Sequence, residues 1–257
     1  MAESFRASKR IVGTSAERDP NTIGSGWAVS GDSFISESGG VISFSASSGG
    51  DCLFINSLPA TAGSSWVVRY KLDITQSNYG GSGSGNHIVG ISDSFSRSGS
   101  GEDPPNSSTA MYVKNTYHSD KKAAQYWTNG STNGNDWDNG VALSGGAQTW
   151  YVTITNNSGS MTTRYGASSD YTGGSITSAW TVDSTAQSTS KTKIFISAFC
   201  SSNISSGGFA GTISDLKFYN NTTTPTDSDD YQTNSIFEES DTGKHYIWSG
   251  SAWTEVA

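Results

Sequence analysis

The sequence predicts an all-β protein, an antiparallel sandwich followed by a short C-terminal β-meander, and three features carry that prediction. The stretch Trp66-Val67-Val68-Arg69-Tyr70-Lys71-Leu72-Asp73-Ile74 places Trp66, Val68, Tyr70, Leu72 and Ile74 on one side at period two. Val67, Arg69, Lys71 and Asp73 fall on the other side, a separation that only a strand makes cleanly. Short runs of the same kind recur between turn clusters, and no stretch of helical length shows a 3.6-residue apolar period. Hydrophobic residues reach only 33% with 30 Gly, yet 8 Trp, 11 Tyr and 10 Phe supply the burial that disordered chains lack. A strand with one aromatic and aliphatic face needs a second layer over it, hence two stacked sheets.

Taken in order, residues 1–19 form a polar arm holding Lys9-Arg10-Ile11-Val12-Gly13-Thr14, and Asp19-Pro20-Asn21 breaks the chain after it. Strand text begins at Trp27. Val41–Ala46 and Cys52–Asn56 flank Ser47-Ser48-Gly49-Gly50-Asp51 and read as a hairpin. Gly80–Gly85 is a flexible connector without the spacing or the following helix of a phosphate-binding loop. His87–Ile91 and Ala110–Val113 read as the next pair of strands, across a loop with Pro104-Pro105, and residues 115–140 read as a long loop. Trp150–Thr155 repeats the alternation and turns through Asn156-Asn157-Ser158-Gly159 into Met161–Tyr165. Lys193–Phe199 is apolar on both faces, as a central strand would be. Thr212–Tyr219 closes the body, which spans 20–222. Residues 223–231 are a linker by composition, and 232–257 give three strands around Asp241-Thr242-Gly243 and Ser249-Gly250-Ser251.

Charge and motif content exclude several classes. The net charge is −8 and the 15 Lys and Arg are spread thinly, so a nucleic-acid partner is not expected. Met1-Ala2-Glu3-Ser4-Phe5-Arg6 leads into no apolar h-region and no run reaches membrane-span length, so neither a Sec-type signal nor a membrane partner is expected. Cys52 and Cys200 form no CxxC pair; each borders an apolar run and reads as a buried thiol, or as one bridge if those runs are neighbours. His87, His118 and His245 are scattered, and neither a His-x-x-x-His pair nor a Gly-x-Ser-x-Gly elbow occurs.

Residues 115–140 hold the densest polar-aromatic text. Trp127 and Trp137 stand near Asn129, Asn135 and His118, a set suited to carbohydrate: an indole stacks on the CH face of a sugar while amides take its hydroxyls. The competing reading is that these tryptophans cap the sandwich or pack on a neighbouring subunit. Asp136, Asp138 and Asn135 are the densest oxygen cluster, with Asp227, Asp229 and Asp230 next. Calcium is the cation they would suit, but an ordinary solvated acidic loop explains both clusters and no cofactor is required. In the tail, Tyr246, Trp248 and Trp253 alternate, and a three-strand unit must lean on something.

The strand Trp66–Ile74, the run His87-Ile88-Val89-Gly90-Ile91-Ser92-Asp93 and the closing Gly211–Asn220 together resemble the concanavalin A-like lectin/glucanase fold, also called laminin G-like, over roughly residues 22–221. The resemblance implies a jelly roll. Glucanases of this fold carry a Glu-x-Asp-x-x-Glu strand whose glutamates act as nucleophile and general acid. Between Glu17 and Glu238 this chain has only Glu37, in a turn, and Glu102, beside Asp103-Pro104-Pro105. The paired carboxylates a glycosidase needs are therefore not in place, and no enzymatic activity is expected.

The ends, Arg10–Arg18 and Asp241–Trp253, resemble a short module common in tailed-virus structural proteins, with the jelly roll inserted between its two halves. That resemblance implies a virion structural or decoration protein of a capsid, tail or head fibre, made in the host cytoplasm. It would be a homo-oligomer in contact with other virion proteins through Ile11, Val12, Phe237, Tyr246, Trp248 and Trp253. The alternative expectation is a carbohydrate-binding module that recognises a host or environmental glycan.

Overall fold

The computed structural model describes residues 10–13, 23, 26–31, 35–46, 50–80, 84–93, 109–118, 121–128, 132–136, 148–171, 174, 176–182, 184–200, 206–225, 235–248 and 253–256. The chain divides into two compact units, residues 23–223 and residues 1–22 with 224–257.

The larger unit contains two seven-stranded antiparallel sheets. One runs β13 (Ile176–Thr181), β12 (Ser160–Gly166), β11 (Gln148–Asn157), β6 (Ser65–Gly80), β15 (Ser206–Asn220), β4 (Val41–Ala46) and β3 (Ile35–Ser38). The other runs β10 (Thr132–Asp136), β9 (Lys121–Thr128), β8 (Met111–His118), β7 (Ser84–Ser92), β14 (Lys193–Cys200), β5 (Gly50–Ser57) and β2 (Ala28–Gly31). This is the jelly-roll β-sandwich. The sole helix among the described residues is the short α1 (Ser184–Ser188).

The period-two reading of β6 holds in three dimensions. Trp66, Val68, Tyr70, Leu72 and Ile74 are buried in one core with Phe54, Val89, Ile91, Met111, Val113, Ile194 and Ile196 of the facing sheet. Burying five large side chains from one strand contributes of the order of 10 kcal/mol before entropy is counted. β14 sits between β7 and β5. Its Ile194, Ile196 and Ala198 enter that core, while Phe195 joins Leu53, Ile55, Ile88, Ala110 and Tyr112 in a second buried cluster. That is why the strand is apolar on both faces.

Two local expectations are corrected. β4 and β5 are not a hairpin: they lie in opposite sheets, β4 beside β3 and β15, β5 beside β14 and β2. The tight turn of β4 is instead Gly39-Gly40, both at positive φ, with Ser38 opposite Val41 and the Glu37 carboxylate accepting from the Gly40 amide. Nor is 115–140 a plain loop, because β8, β9 and β10 occupy 111–118, 121–128 and 132–136 at one margin of the second sheet. Its polar text concealed strands that have one neighbour or pair with each other.

The turn Asn157-Ser158-Gly159-Ser160 joins β11 to β12 with Ser158 and Gly159 at φ 50° and 89°, as the two central positions of a type I′ hairpin require. Cys52 in β5 pairs with Ala198, and Cys200 with Gly50, so the apolar runs are indeed neighbours. Cys52 nevertheless remains a buried thiol outside any disulfide.

The smaller unit is a four-stranded sheet ordered β1 (Arg10–Gly13), β16 (Ile236–Glu239), β17 (His245–Trp248) and β18 (Trp253–Val256). The arm is thus a strand, running parallel to β16 with Ile11 opposite Phe237 and Val12 opposite Glu238. Trp248 faces Trp253 across β17 and β18, with ring centres 5.3 Å apart, and Phe237 meets Trp253 edge-on at 5.8 Å.

Candidate functional site: a lysine-floored cleft at one end of the sandwich

Three connections meet at the end of the sandwich where β6 begins and β11 turns into β12. The segment before β6 hydrogen-bonds the β11–β12 turn: the Ser158 amide donates to the Ser64 carbonyl at 2.9 Å. Buried Asn156 fastens both sides, donating through Nδ2 to Ser64 O at 2.8 Å and accepting through Oδ1 from the Gly159 amide at 3.0 Å. The α1 segment closes the third side. The Val182 amide donates to Gly159 O at 2.7 Å, and Gln187 Nε2 donates to Val182 O at 2.5 Å. The Ala62 amide donates to Lys191 O at 2.9 Å, drawing the chain after α1 against the segment before β6.

A cleft of about 130 Å³ remains between them. It is lined by Trp66 and Met111 from the core strands and by Ser64, Asn156, Gln187 and Lys191 on the polar side. Lys191 is 3% exposed, and its ammonium donates to the carbonyls of Ala186 and Thr189, each at 2.5 Å. It thereby takes carbonyls that the end of α1 leaves without helical partners. Burial pushes its amine down to about 8, while the Asp93 carboxylate favours the charged form. An ammonium carries three donors, so one remains beyond those two carbonyls. Convergent polar groups on an apolar floor are the ordinary makings of a small-ligand site. The volume limits the occupant to something about the size of one sugar ring, well below a drug-sized pocket of roughly 300 Å³ or more.

A second feature lies on the other face of the first sheet. Arg69 lies 5.3 Å from the ring centre of Tyr171 and 5.5 Å from that of Tyr219, and Tyr171 meets Tyr151 edge-on at 5.4 Å. Tyr171 Oη donates to Asp215 Oδ2 at 2.8 Å. Asp215 sits in a bulge of β15 between Ser214 and Lys217. Tyr171 and Tyr219 are buried, so this cluster clamps the connection after β12 onto the sheet and leaves no open aromatic platform.

The residues singled out from sequence are not gathered at the cleft. His118 ends β8, Trp127 lies in β9, and Asn135 and Asp136 lie in β10, opposite Tyr126 and Gln125. Asn129, Trp137 and Asp138 lie outside the described residues, as do Glu102 and Asp227, Asp229 and Asp230. Among the described residues no three His, Cys, Asp or Glu side chains are grouped as a metal site, and no helix is long and apolar enough to cross a membrane. Sequence reasoning placed Trp66 in the core and passed over Lys191, Asn156 and Gln187. Only the Asn156–Gly159 turn was visible in the sequence; nothing local marks Lys191, which joins carbonyls of its own segment to lining residues from β6, β8 and the β11–β12 turn.

No protein-family model matches the chain, and no curated protein matches it. Solved structures do. The exoplasmic/lumenal domain of VIP36 in its Ca2+/Man3GlcNAc-bound form aligns at 9% identity over 78% of this chain and 86% of that one, with a TM-score of 0.51. The legume lectin-like domain from Entamoeba histolytica aligns at 12% identity over 76% and 90%, with a TM-score of 0.49. Lectin II from Ulex europaeus aligns at 14% identity over 75% and 92%, with a TM-score of 0.47. At such identities the likeness is one of fold: a legume-lectin-like, concanavalin A-like sandwich.

Proposed function

We propose that this protein is a non-enzymatic carbohydrate-binding module, and that the cleft floored by Lys191 holds one sugar ring. The observation that carries the reading is the cleft's makeup: amide, hydroxyl and ammonium groups converge beside Trp66 and Met111 in a space sized for one ring. A sugar presents the same division, with hydroxyls at its rim and CH groups on its faces. The legume-lectin-like fold supports it, since the VIP36 domain of similar fold was solved with a mannose-containing oligosaccharide and calcium. Any role of calcium here belongs to the same proposal, with Asn135, Asp136 and Asp138 as the candidate ligands.

The test is a glycan array with the full chain, repeated with Lys191→Met and with Trp127→Ala and Trp137→Ala. Hits lost in Lys191→Met place binding in the cleft. Hits lost only in the tryptophan variants place it with His118, Trp127, Asn129, Asn135 and Trp137 instead. An array without hits overturns the reading.

A second reading concerns attachment. We propose that the terminal sheet anchors the lectin-like body to a larger assembly, a virion in the reading that the ends of the chain suggest, through Ile11, Val12, Phe237, Tyr246, Trp248 and Trp253. The parallel pairing of β1 with β16 supports it, because it gathers both chain termini into one unit. Self-association belongs to the same proposal. Light scattering of Trp253→Arg beside the parent chain tests it, and an unchanged oligomer mass and unchanged particle incorporation would remove it.

A further inference from the structure

The charge of the cleft is one-sided. Among the described residues that line it, Lys191 is the one charged side chain and none is Asp or Glu. The buried ammonium donates directly to two neutral carbonyls, those of Ala186 and Thr189, and the Asp93 carboxylate acts on it without lining the cleft. A buried cation whose direct hydrogen-bond partners are neutral gains from an opposite charge placed in contact with it. Ser64, Thr189 and Gln187 also line it; Thr189 Oγ1 donates to the Thr185 carbonyl and Gln187 Nε2 to that of Val182, so their oxygens are left as acceptors.

Resting on the carbohydrate-binding reading above, we infer that the ring this cleft selects bears a carboxylate, as a uronic or sialic acid does, with the carboxylate paired to Lys191. The pairing makes a charge-assisted hydrogen bond and neutralises the ammonium inside the cleft. Burial lowers the proton affinity of the amine more than the Asp93 carboxylate raises it, and a bound carboxylate would add to the Asp93 effect. Hydrogen bonds to charged groups are worth about 1.5–3 kcal/mol, so an acidic ring should bind roughly ten- to a hundredfold more tightly than its neutral counterpart.

Calorimetric titration of the full chain with glucuronate, N-acetylneuraminate, glucose and acetate at pH 7 tests this. Glucuronate or N-acetylneuraminate binding at least tenfold more tightly than both glucose and acetate supports the inference, and the better of the two acids identifies the source of the carboxylate. Ser64→Asp, which adds a negative charge at the exposed mouth, should shrink the ratio of acidic to neutral affinity without touching the lysine. Lys191→Met should bring that ratio to about one. Glucose binding as well as the acids overturns the acidic preference and leaves the carbohydrate reading standing. Acetate binding as well as the acidic sugars overturns the sugar component, and no binding by any sugar overturns both.

Discussion

Tyr171 Oη donates a 2.8 Å hydrogen bond to Asp215 Oδ2, and both residues hold left-handed backbone, at φ 59° and 52°. Neither is glycine, so each conformation costs of the order of 1 kcal/mol and persists because its surroundings enforce it. The bulge in β15 turns Asp215 out of the ladder, and the Tyr171 ring then lies near Arg69 as the edge-on neighbour of Tyr151. Tyr171→Phe removes the hydrogen bond and keeps the ring. It should cost about 1–2 kcal/mol, read as a lower urea midpoint at unchanged m-value. Asp215→Gly loses the same bond but relieves the backbone, so it should cost less than Tyr171→Phe.

His87 predicts acid sensitivity. It is fully buried against Phe44, with ring centres 5.7 Å apart, and burial pushes its imidazole down to about 3 from an ordinary 6.5. The folded-state value lies below the unfolded one, so between pH 6.5 and about 3 the unfolded chain binds the extra proton. Stability from this group is intact above pH 6.5 and falls as pH drops through that window, by about 5 kcal/mol in total. Urea midpoints at pH 7 and pH 4.5 should differ less in His87→Phe than in the parent chain.

Lys191 predicts the opposite end of the scale. Its folded-state value of about 8 lies below the ordinary 10.5, so the unfolded chain holds the extra proton between those two values. Stability from this group therefore rises as pH climbs from about 8 to 10.5. Other groups titrate there too, so the readout is the difference between the parent chain and Lys191→Met. That difference should shift in favour of the parent as the lysine loses its charge.

Gly211 predicts a packing limit. A Cβ at that position would lie 2.3 Å from the Asp73 carbonyl oxygen and 2.9 Å from Phe44 Cζ. The nearer obstacle is main chain of β6, which cannot move without disturbing the centre of the sheet. Gly211→Ala should cost about 3 kcal/mol by thermal or urea unfolding, at the upper end of single substitutions.

Asp73 and Lys71 predict a smaller, salt-sensitive effect. They form a 2.7 Å ion pair on the outer side of β6, and Thr149 Oγ1 donates to the same carboxylate at 2.5 Å. Burial works against the Asp73 charge, but the hydrogen bonds from Lys71 and Thr149 outweigh it and hold the carboxyl below its usual range. Asp73→Asn should cost less than about 1 kcal/mol, less again in high salt, because both side chains are about a third exposed.

Local pattern alone determined the strands. Period-two alternation in 66–74, 150–155 and 161–165, and the two-sided apolar run 193–199, encode burial residue by residue and so survive without coordinates. The turn at Asn156–Gly159 was equally legible from its Asn, Ser and Gly residues, and Ser158 and Gly159 hold the positive φ it needs. Tertiary structure decided what local pattern cannot carry: which layer each strand joins, so that β4 and β5 part company although only a few residues separate them. It also made strands of 111–118, 121–128 and 132–136, paired β1 with β16 although the whole body intervenes in sequence, and set Lys191 beside Trp66 and Asn156. Alternation fixes which side of a strand is dry; the partner across the gap is fixed only when the whole chain competes for the same apolar surface.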